Sequence, residues 1–353
     1  MKKDDRERYI DELLKEAILK KASDLHITVG LQPAFRINGR LYFSAYDKLN
    51  SEDTKMLFES IATSIQQCEF EKIGEIDFSY VVADYGRFRV NVFKQCVMIA
   101  IVIRIIPHDI PILEDSKYPS VLKTLALKKN GLVLVTGPTG SGKSTTVAAM
   151  INLINQSQSL HIITMEDPIE YLHKHQKSII HQREIYTDSK SFSNSLRGAL
   201  REDPDVIFVG EMRDLETMSI AITAAETGHL VFATLHTPDA IQTVDRIIDV
   251  FPNYQQQQIR IQLSMALRGV ISQQLLPKKD NSGRIALFEI MIITPAIRNI
   301  IREGKTPQIM SHMQTGVALG MQSFDMALQA LLRQNLITKD VALDYASDQK
   351  AFS

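Results

Sequence analysis

Gly131-Leu-Val-Leu-Val-Thr136 runs straight into Gly137-Pro-Thr-Gly-Ser-Gly-Lys-Ser144, and the residues after it read as helix to about Ile154. An unbroken apolar run marks a strand buried on both faces, as in a parallel sheet. The segment that follows fits G-x-x-x-x-G-K-[ST] in full, and a strand before and a helix after are the context such a phosphate-binding loop requires. Glycines let backbone N–H groups turn inward around phosphate oxygens. Gly137, Pro138, Thr139, Gly140, Ser141, Gly142, Lys143, Ser144 and Thr145 are therefore the expected nucleotide-binding residues. Lys143 would place a point charge on the β and γ phosphates. Ser144 would offer its hydroxyl to Mg²⁺, and the helix adds the positive end of its dipole. ATP and Mg²⁺ are the expected ligands.

Outward from this loop, Leu160–Met165, Val206–Val209 and Leu230–Thr234 are further apolar runs separated by helical patterns. That alternation predicts a mostly parallel sheet with covering helices. From about Gln255 onward the pattern predicts mainly helix. Ligands in such sheets bind outside the carboxyl ends of the strands. Glu166-Asp-Pro-Ile-Glu170 stands there, and its carboxylates suit a base and a water-positioning group; read alone, they equally suit a solvated acidic turn. Glu211 stands two residues past Val209 and could orient Mg²⁺, or simply be an exposed glutamate after a buried strand. His229 and His236 bracket Leu230–Thr234. A polar group after a strand can sense a γ phosphate, although a single histidine is more often structural.

Before these runs, Pro107, Pro111 and Pro119 oppose continuous structure, and 108–119 reads as a linker. Residues 1–107 predict a small α+β domain and 120–353 a second domain. In the first, Ile10–Lys21 has helical periodicity, and Leu25–Val29, Ala34–Ile37 and Leu41–Phe43 are short strand candidates. Asn38-Gly39 is a hairpin signal. Ser51-Glu-Asp begins a helix with a capping residue and an acidic first turn. Ile76–Val82, Arg87–Phe93 and Val97–Ile106 complete the strands, with Tyr85-Gly86 in a turn. Arg87, Arg89 and Arg104 lie on them. A solvated face or ion pair is the simpler reading, and a reach to a neighbouring subunit's phosphates the functional one.

Composition narrows the classes. The chain has 353 residues, 44% hydrophobic and 23% charged, which suits a globular protein of two domains. Lys+Arg 40 against Asp+Glu 41 gives −1, without the basic excess that a nucleic-acid binder shows, so no nucleic-acid partner is expected. The longest apolar run is Val97–Ile103, far short of the about 20 residues of a membrane span. The charged start, MKKDDRERYIDELLKEAILKK, does not read as a secretory signal. Cys68 and Cys96 cannot supply a four-cysteine zinc site or a disulfide framework, so no zinc is expected.

Ala22-Ser-Asp-Leu-His26, GPTGSGKST, EDPIEY, LREDPDVIFVGEMRD and TGHLVFATLHT occur in the order found in the type II/type IV secretion ATPase superfamily, which the chain resembles over about residues 1–345. The segment from Ala296 to Lys305, Met313-Gln-Thr-Gly316 and Gly320-Met-Gln322 resemble its pilus-retraction members. The resemblance implies an α/β protein, with a PAS-like α+β N-terminal domain followed by a RecA-like P-loop ATPase domain with a helical C-terminal part. It implies a cytoplasmic homohexamer, peripheral at the cytoplasmic face of the inner membrane. Such a ring would hydrolyse ATP to retract type IV pilus fibres in twitching motility, against an inner-membrane platform protein. By the same resemblance Glu170 is the catalytic carboxylate, supported by Glu166 and Asp167. Glu211 is the atypical Walker B glutamate, holding Mg²⁺ with Ser144. His229 and His236 form the His box, and Arg89 and Arg104 reach the nucleotide.

Two features favour retraction over extension: extension-type relatives are longer, and they carry a four-cysteine motif where Gln273 to Arg284 here has no cysteine. An accessory or extension-type motor, or a nucleotide-dependent switch that does not cycle, are the alternatives; intact Lys143, Glu170, Glu211, His229 and His236 favour the motor. Around Gln95 to Ala100 the family often carries Arg or Gly in a hairpin turn, and this chain reads QCVMIA. Ile297, Ile300 and Ile301 share one helical face, with Arg298, Arg302 and Lys305 elsewhere. That suits either a helix packed on the core or one whose charged side couples hydrolysis to pulling.

Overall fold

The computed structural model describes residues 3–37, 39–82, 85–106, 110–113, 118–280 and 282–352. It divides into two compact units, Met1–Asp109 and Ile110–Ser353. Half of the 108–119 linker segment, and Asn38 of the hairpin signal, lie outside the described residues.

The first unit runs α1 (Lys3–Leu19), β1 (Asp24–Ile27), β2 (Ala34–Ile37), β3 (Arg40–Phe43), α2 (Ser51–Ile61), α3 (Ser64–Ile73), β4 (Glu75–Val82), β5 (Gly86–Gln95) and β6 (Met98–Ile105). The strands form one antiparallel sheet in the order β3-β2-β1-β6-β5-β4. Its core joins Ile10, Leu13, Leu14 and Ala17 of α1 to Leu57, Phe58 and Phe70 and to Phe88, Val90 and Ile103 of the sheet. Helical spacing in α1 therefore puts one apolar stripe on the sheet. The cap of α2 is Asn50 and not Ser51: the Asn50 side chain accepts from the N–H groups of Glu52 and Asp53, and the Asp53 carboxylate accepts from the Asn50 N–H. The helix α3 is not among the sequence expectations. Its signal was a second capping box, Thr63 with Gln66.

The QCVMIA segment resolves as a two-residue hairpin turn. Gln95 pairs with Met98, and Cys96 and Val97 between them have φ of 47° and 69°. Such mirror-image turns match strand twist but require positive φ at both central residues, which suits Asn and Gly and strains a β-branched valine.

The second unit runs α4 (Val121–Ala126), β7 (Gly131–Thr136), α5 (Lys143–Ser157), β8 (His161–Glu166), β9 (Ile179–Glu184), α6 (Phe192–Ala199), β10 (Val206–Val209), α7 (Leu215–Glu226), β11 (Leu230–Leu235), α8 (Ala240–Asp249), α9 (Asn253–Ala266), β12 (Leu267–Pro277), β13 (Arg284–Ile292), α10 (Pro295–Glu303), α11 (Ile309–Thr315), α12 (Phe324–Arg333) and α13 (Lys339–Tyr345). The sheet order is β13-β12-β7-β11-β10-β8-β9, parallel except for the β12–β13 pair. Every residue of β7, β10 and β11 is buried.

The expectation of mainly helix beyond Gln255 is corrected here. Leu267 to Ile292 supplies two long strands, β12 alongside β7 and β13 antiparallel to it. Gly269, Ser272, Gln273 and Gln274 interrupt the apolar pattern of β12, yet Ser272 and Gln273 are buried, because their side chains bond under the phosphate-binding loop.

Val97 is 93% exposed, so its side chain contributes little packing in the chain. Strain at a β-branched left-handed residue of roughly 2 kcal/mol exceeds the chain entropy that a glycine adds to the unfolded state, roughly 1 kcal/mol. Val97→Gly should therefore stabilise the protein by about 1 kcal/mol, read as a raised midpoint in thermal unfolding; an unchanged or lowered midpoint would show that the turn is unstrained.

Candidate nucleotide site

Parallel strands deliver their C-terminal loops to one edge of the sheet. The loop after β7 is Gly137 to Gly142, the loop after β8 carries Asp167 to Glu170, Glu211 follows β10, and His236 follows β11. All four meet around one cavity of about 360 Å³, lined among others by Gly142, Lys143, Ser144, Glu166, Glu170, Glu211 and His236.

The glycines of the first loop answer to crowding as well as to φ. A Cβ on Gly137 would come 2.2 Å from the Gln273 carbonyl oxygen, and one on Gly142 2.8 Å from Gln273 Nε2. Gln273 also accepts from Thr146 Oγ1 at 2.7 Å, so β12 braces both ends of the loop. Lys143 is buried, and its Nζ donates to the Gly137 and Pro138 carbonyls at 2.8 and 3.0 Å. Burial lowers its pKa, opposed by the charges of Glu211 and Glu170. Thr145 Oγ1 lies 3.0 Å from the Tyr171 hydroxyl, which ties the helix start to the acidic loop.

A line of charge leads from Lys143. Its Nζ lies 3.5 Å from His236 Nδ1, His236 Nε2 lies 3.2 Å from Glu211 Oε1, and Glu211 Oε2 lies 2.7 Å from Arg213 Nη2. The network assigns the tautomer: Nδ1 accepts and Nε2–H donates. Burial alone would raise the Glu211 pKa, but the hydrogen bond and charge of Arg213, with the hydrogen bond from His236, outweigh it and hold the carboxyl below its ordinary value. The Glu211 carboxylate and the Ser144 hydroxyl both line this cavity, and oxygen donors of this kind fit Mg²⁺.

The two glutamates of the acidic loop differ. Glu166 is buried and accepts from Thr164 Oγ1 at 2.7 Å, Gln182 Nε2 at 3.2 Å and the Glu170 N–H at 3.4 Å. Burial pushes it up to about 7. Glu170 is exposed on the cavity.

His229 does not join this site within the chain. It precedes β11, at the opposite end of about 20 Å of strand from His236. There its Nδ1 bonds to the Ala224 carbonyl and its own carbonyl accepts from Gly131, so it closes the strand's start. Arg89 and Arg104 lie in the first unit, directly opposite each other on β5 and β6, in a cross-strand row with Asp24 and Arg36. Arg104 Nε pairs with Asp24 at 3.0 Å and Arg89 Nε with Asp77 at 3.5 Å. Sequence reasoning missed Gln273, Arg213 and Tyr171. Of these only Tyr171 and Arg213 had a signal, as neighbours of Glu170 and Glu211 in the chain.

Fold and cavity together define a P-loop ATPase. The model of the family described as Type II/IV secretion system protein matches residues 2–339, and the chain belongs to that family. It is 48% identical over 343 residues to the "Type IV pilus retractation ATPase PilT" of Pseudomonas aeruginosa, covering 97% of this chain and 99% of that one. It is 49% identical over 321 residues to a "Twitching motility protein" of Neisseria gonorrhoeae, covering 91% and 86%. A solved structure of "the Pilus Retraction Motor PilT and Bound ADP" superposes with a TM-score of 0.90 at 51% identity, covering 96% of this chain and 97% of that one.

A buried acid with a raised pKa has its sign fixed. Between the ordinary value, 4.5, and about 7 the unfolded Glu166 is ionised while the folded one keeps its proton, so stability falls as pH rises through that window. Glu166→Gln lacks this penalty. Its stability relative to the parent should grow from pH 4.5 to 7, by roughly 3 kcal/mol, and then level off. Chemical denaturation at pH 5, 6, 7 and 8 checks it; a gap independent of pH would place the Glu166 carboxyl in water.

Proposed function

We propose that this chain is the ATPase motor of type IV pilus retraction, hydrolysing ATP to power twitching motility. The observation that carries the reading is the convergence of Lys143, Ser144, Glu170, Glu211 and His236 on one cavity. Likeness over nearly the full length of the retraction ATPase from Pseudomonas aeruginosa supports the direction of the work. In this reading residues 1–107 form the PAS-like domain and 120–353 the RecA-like ATPase domain. Copies of the chain assemble as a homohexamer, with the inner-membrane platform protein of the pilus as partner, at the cytoplasmic face of that membrane. Among the described residues no helix is long and apolar enough to cross a membrane.

The phosphates of ATP take the backbone N–H groups of Gly137 to Gly142 and the Lys143 ammonium, which exchanges its carbonyl partners for stronger charged ones. Ser144 and Glu211 hold Mg²⁺, which when bound neutralises phosphate charge. Glu170 is the base. It faces the cavity, whereas Glu166 is walled in by three donors and half-protonated near neutral pH. Glu170 takes a proton from the attacking water as its oxygen bonds the γ phosphorus and the bridging oxygen leaves with ADP. Glu166 holds the Glu170 backbone in place. His236 links Lys143 to Glu211 and so senses whether the γ phosphate is present. Arg89 and Arg104 add charge from the N-terminal domain, and His229 acts away from the cavity of its own chain.

Lys143→Ala should abolish hydrolysis and weaken ATP binding greatly. Glu170→Gln should bind ATP normally and turn over at least about 100-fold more slowly. Phosphate release and a fluorescent-nucleotide titration separate the two. Parental turnover in Glu170→Gln would pass the role to Glu166.

The segment from Ala296 to Lys305 splits in two. Arg298 Nε donates to the Ser264 carbonyl at 3.0 Å, satisfying the last turn of α9, whereas Arg302 bonds only to Asn299 on its own helix among the contacts the structure records. Ile297 and Ile301 of α10 are buried in the core. Arg298→Ala should cost about 1 kcal/mol in stability. Arg302→Ala should leave folding and ATP hydrolysis intact and leave cells with static pili. Normal twitching in Arg302→Ala cells would remove Arg302 from coupling.

A further inference from the structure

β9 is an edge strand of the larger sheet, paired with β8 on one side. The chain that leaves Glu166 returns along β9, and side chains supply the bonds that hold it there. The Ile169 N–H donates to Glu184 Oε2 at 3.1 Å. Gln182 Nε2 donates to the Tyr171 carbonyl at 2.8 Å, and the His173 N–H donates to Gln182 Oε1 at 2.7 Å. The Ile180 N–H donates to His175 Nδ1 at 3.1 Å. Residues 169 to 175 are thus matched in order with 184 to 180, an antiparallel course in which side chains replace the backbone ladder.

Gln182 carries most of this course. Its Nε2 also donates to Glu166 Oε1 at 3.2 Å, so one amide spends both of its N–H bonds and its oxygen on the acidic loop. Its partners bracket Glu170. On one side, Glu166 takes Gln182 on Oε1 and the Glu170 N–H on Oε2, at 3.4 Å. On the other side, the Tyr171 carbonyl is the next one along the chain. The Glu170 carboxylate is exposed on the cavity and has no hydrogen bond among the contacts the structure records, so its place is inherited from its backbone. The helix α5 grips the same segment further along. Thr145 Oγ1 meets the Tyr171 hydroxyl, Asn155 Nδ2 donates to the Lys174 carbonyl at 2.8 Å, and Asn155 Oδ1 accepts from the Gln176 N–H at 3.1 Å. The bend from Glu166 to Tyr171 is left to the side chains of β9.

We propose that Gln182 is a positioning residue for hydrolysis: it fixes the backbone on both sides of Glu170 and so sets where that carboxylate meets the attacking water. This rests on Glu170 being the base, as proposed above. The role needs an amide. Methionine has a similar length and makes none of the three bonds, whereas an ionised glutamate keeps the acceptor for His173 and offers no donor to Glu166 or Tyr171.

Phosphate release and a fluorescent-nucleotide titration, both on the full chain, read kcat and ATP affinity separately. Gln182→Met should lower kcat roughly 10- to 100-fold, the loss that a misplacement of up to about 1 Å brings, and leave ATP affinity unchanged. Gln182→Glu, assayed at pH 8, should show the same split. In the Glu170→Gln background, Gln182→Met should cost no further turnover, because the group it places is already gone; residues that act as a unit are not additive. A second loss in that background, or a loss of ATP affinity in place of kcat, marks a general structural role and would overturn the proposal. Parental kcat in either variant, or failure of both to fold, would overturn it as well. In each of these cases slow turnover in Glu170→Gln leaves the base reading standing. Parental turnover in Glu170→Gln would overturn that reading and this inference with it.

Discussion

A buried ammonium must be answered by oxygen. Lys143 is that ammonium, and its burial on the first turn of α5 organises the sheet edge around it. The Gly137 and Pro138 carbonyls satisfy it directly, while the charges of Glu211 and Glu170 oppose the lowering of its pKa by burial. His236 then lies between the cation and Glu211, and Arg213 takes the far oxygen of Glu211. Each of these residues reaches Lys143 because it stands just past the end of a parallel strand. The sheet order thus does chemical work: with β7 beside β11, and β11 beside β10, the phosphate loop, the histidine and the glutamate become neighbours although the chain separates them widely.

The shape of the phosphate loop is also set from outside its own sequence. Gln273 crowds Gly137 and Gly142 from β12 and accepts from Thr146 one turn into α5. A loop braced in this way offers its N–H groups without rearranging, which is what binding of a highly charged ligand requires. The cost is a strand whose buried face carries Ser272 and Gln273 instead of aliphatic residues. Their hydrogen bonds to Thr136 and Thr146 offset the burial.

That trade explains what the sequence conceals. Where an element answers to one demand, its pattern is plain: β7, β10 and β11 read as uninterrupted apolar runs, and the glycine spacing of the loop marks the only residues that fit there. Where an element answers to two, the pattern blurs. β12 is both a strand and the brace of the loop, so its polar residues hid it and the region read as helix. The strand β9 is an edge strand whose Gln182 holds Glu166, and its polar run HQRE gave no strand signal. The acidic loop was legible as a cluster, but only burial separates Glu166 from Glu170. The sequence already sets His229 and His236 at opposite ends of one strand, but the cavity lies at the carboxyl end alone, so only His236 lines it.

The arginines of the N-terminal domain raise a question of energy. Arg104 is a catalytic candidate, yet it already pairs with Asp24, as Arg89 does with Asp77. The Arg89–Asp77 pair is a surface pair, worth about 1 kcal/mol or less, and the side chain of Arg104 is itself 66% exposed. The Asp24 carboxylate itself is nearly buried and has a second cation, Arg36, at 3.9 Å, so it is not stranded if Arg104 leaves. Charge-assisted bonds to a phosphate, roughly 1.5–3 kcal/mol each, outweigh what is given up. The pairing thus holds both arginines on one open face of the sheet, ordered but weakly held. An anion presented to that face would draw them away at small cost, as the proposed role requires, and its departure would return them to the carboxylates.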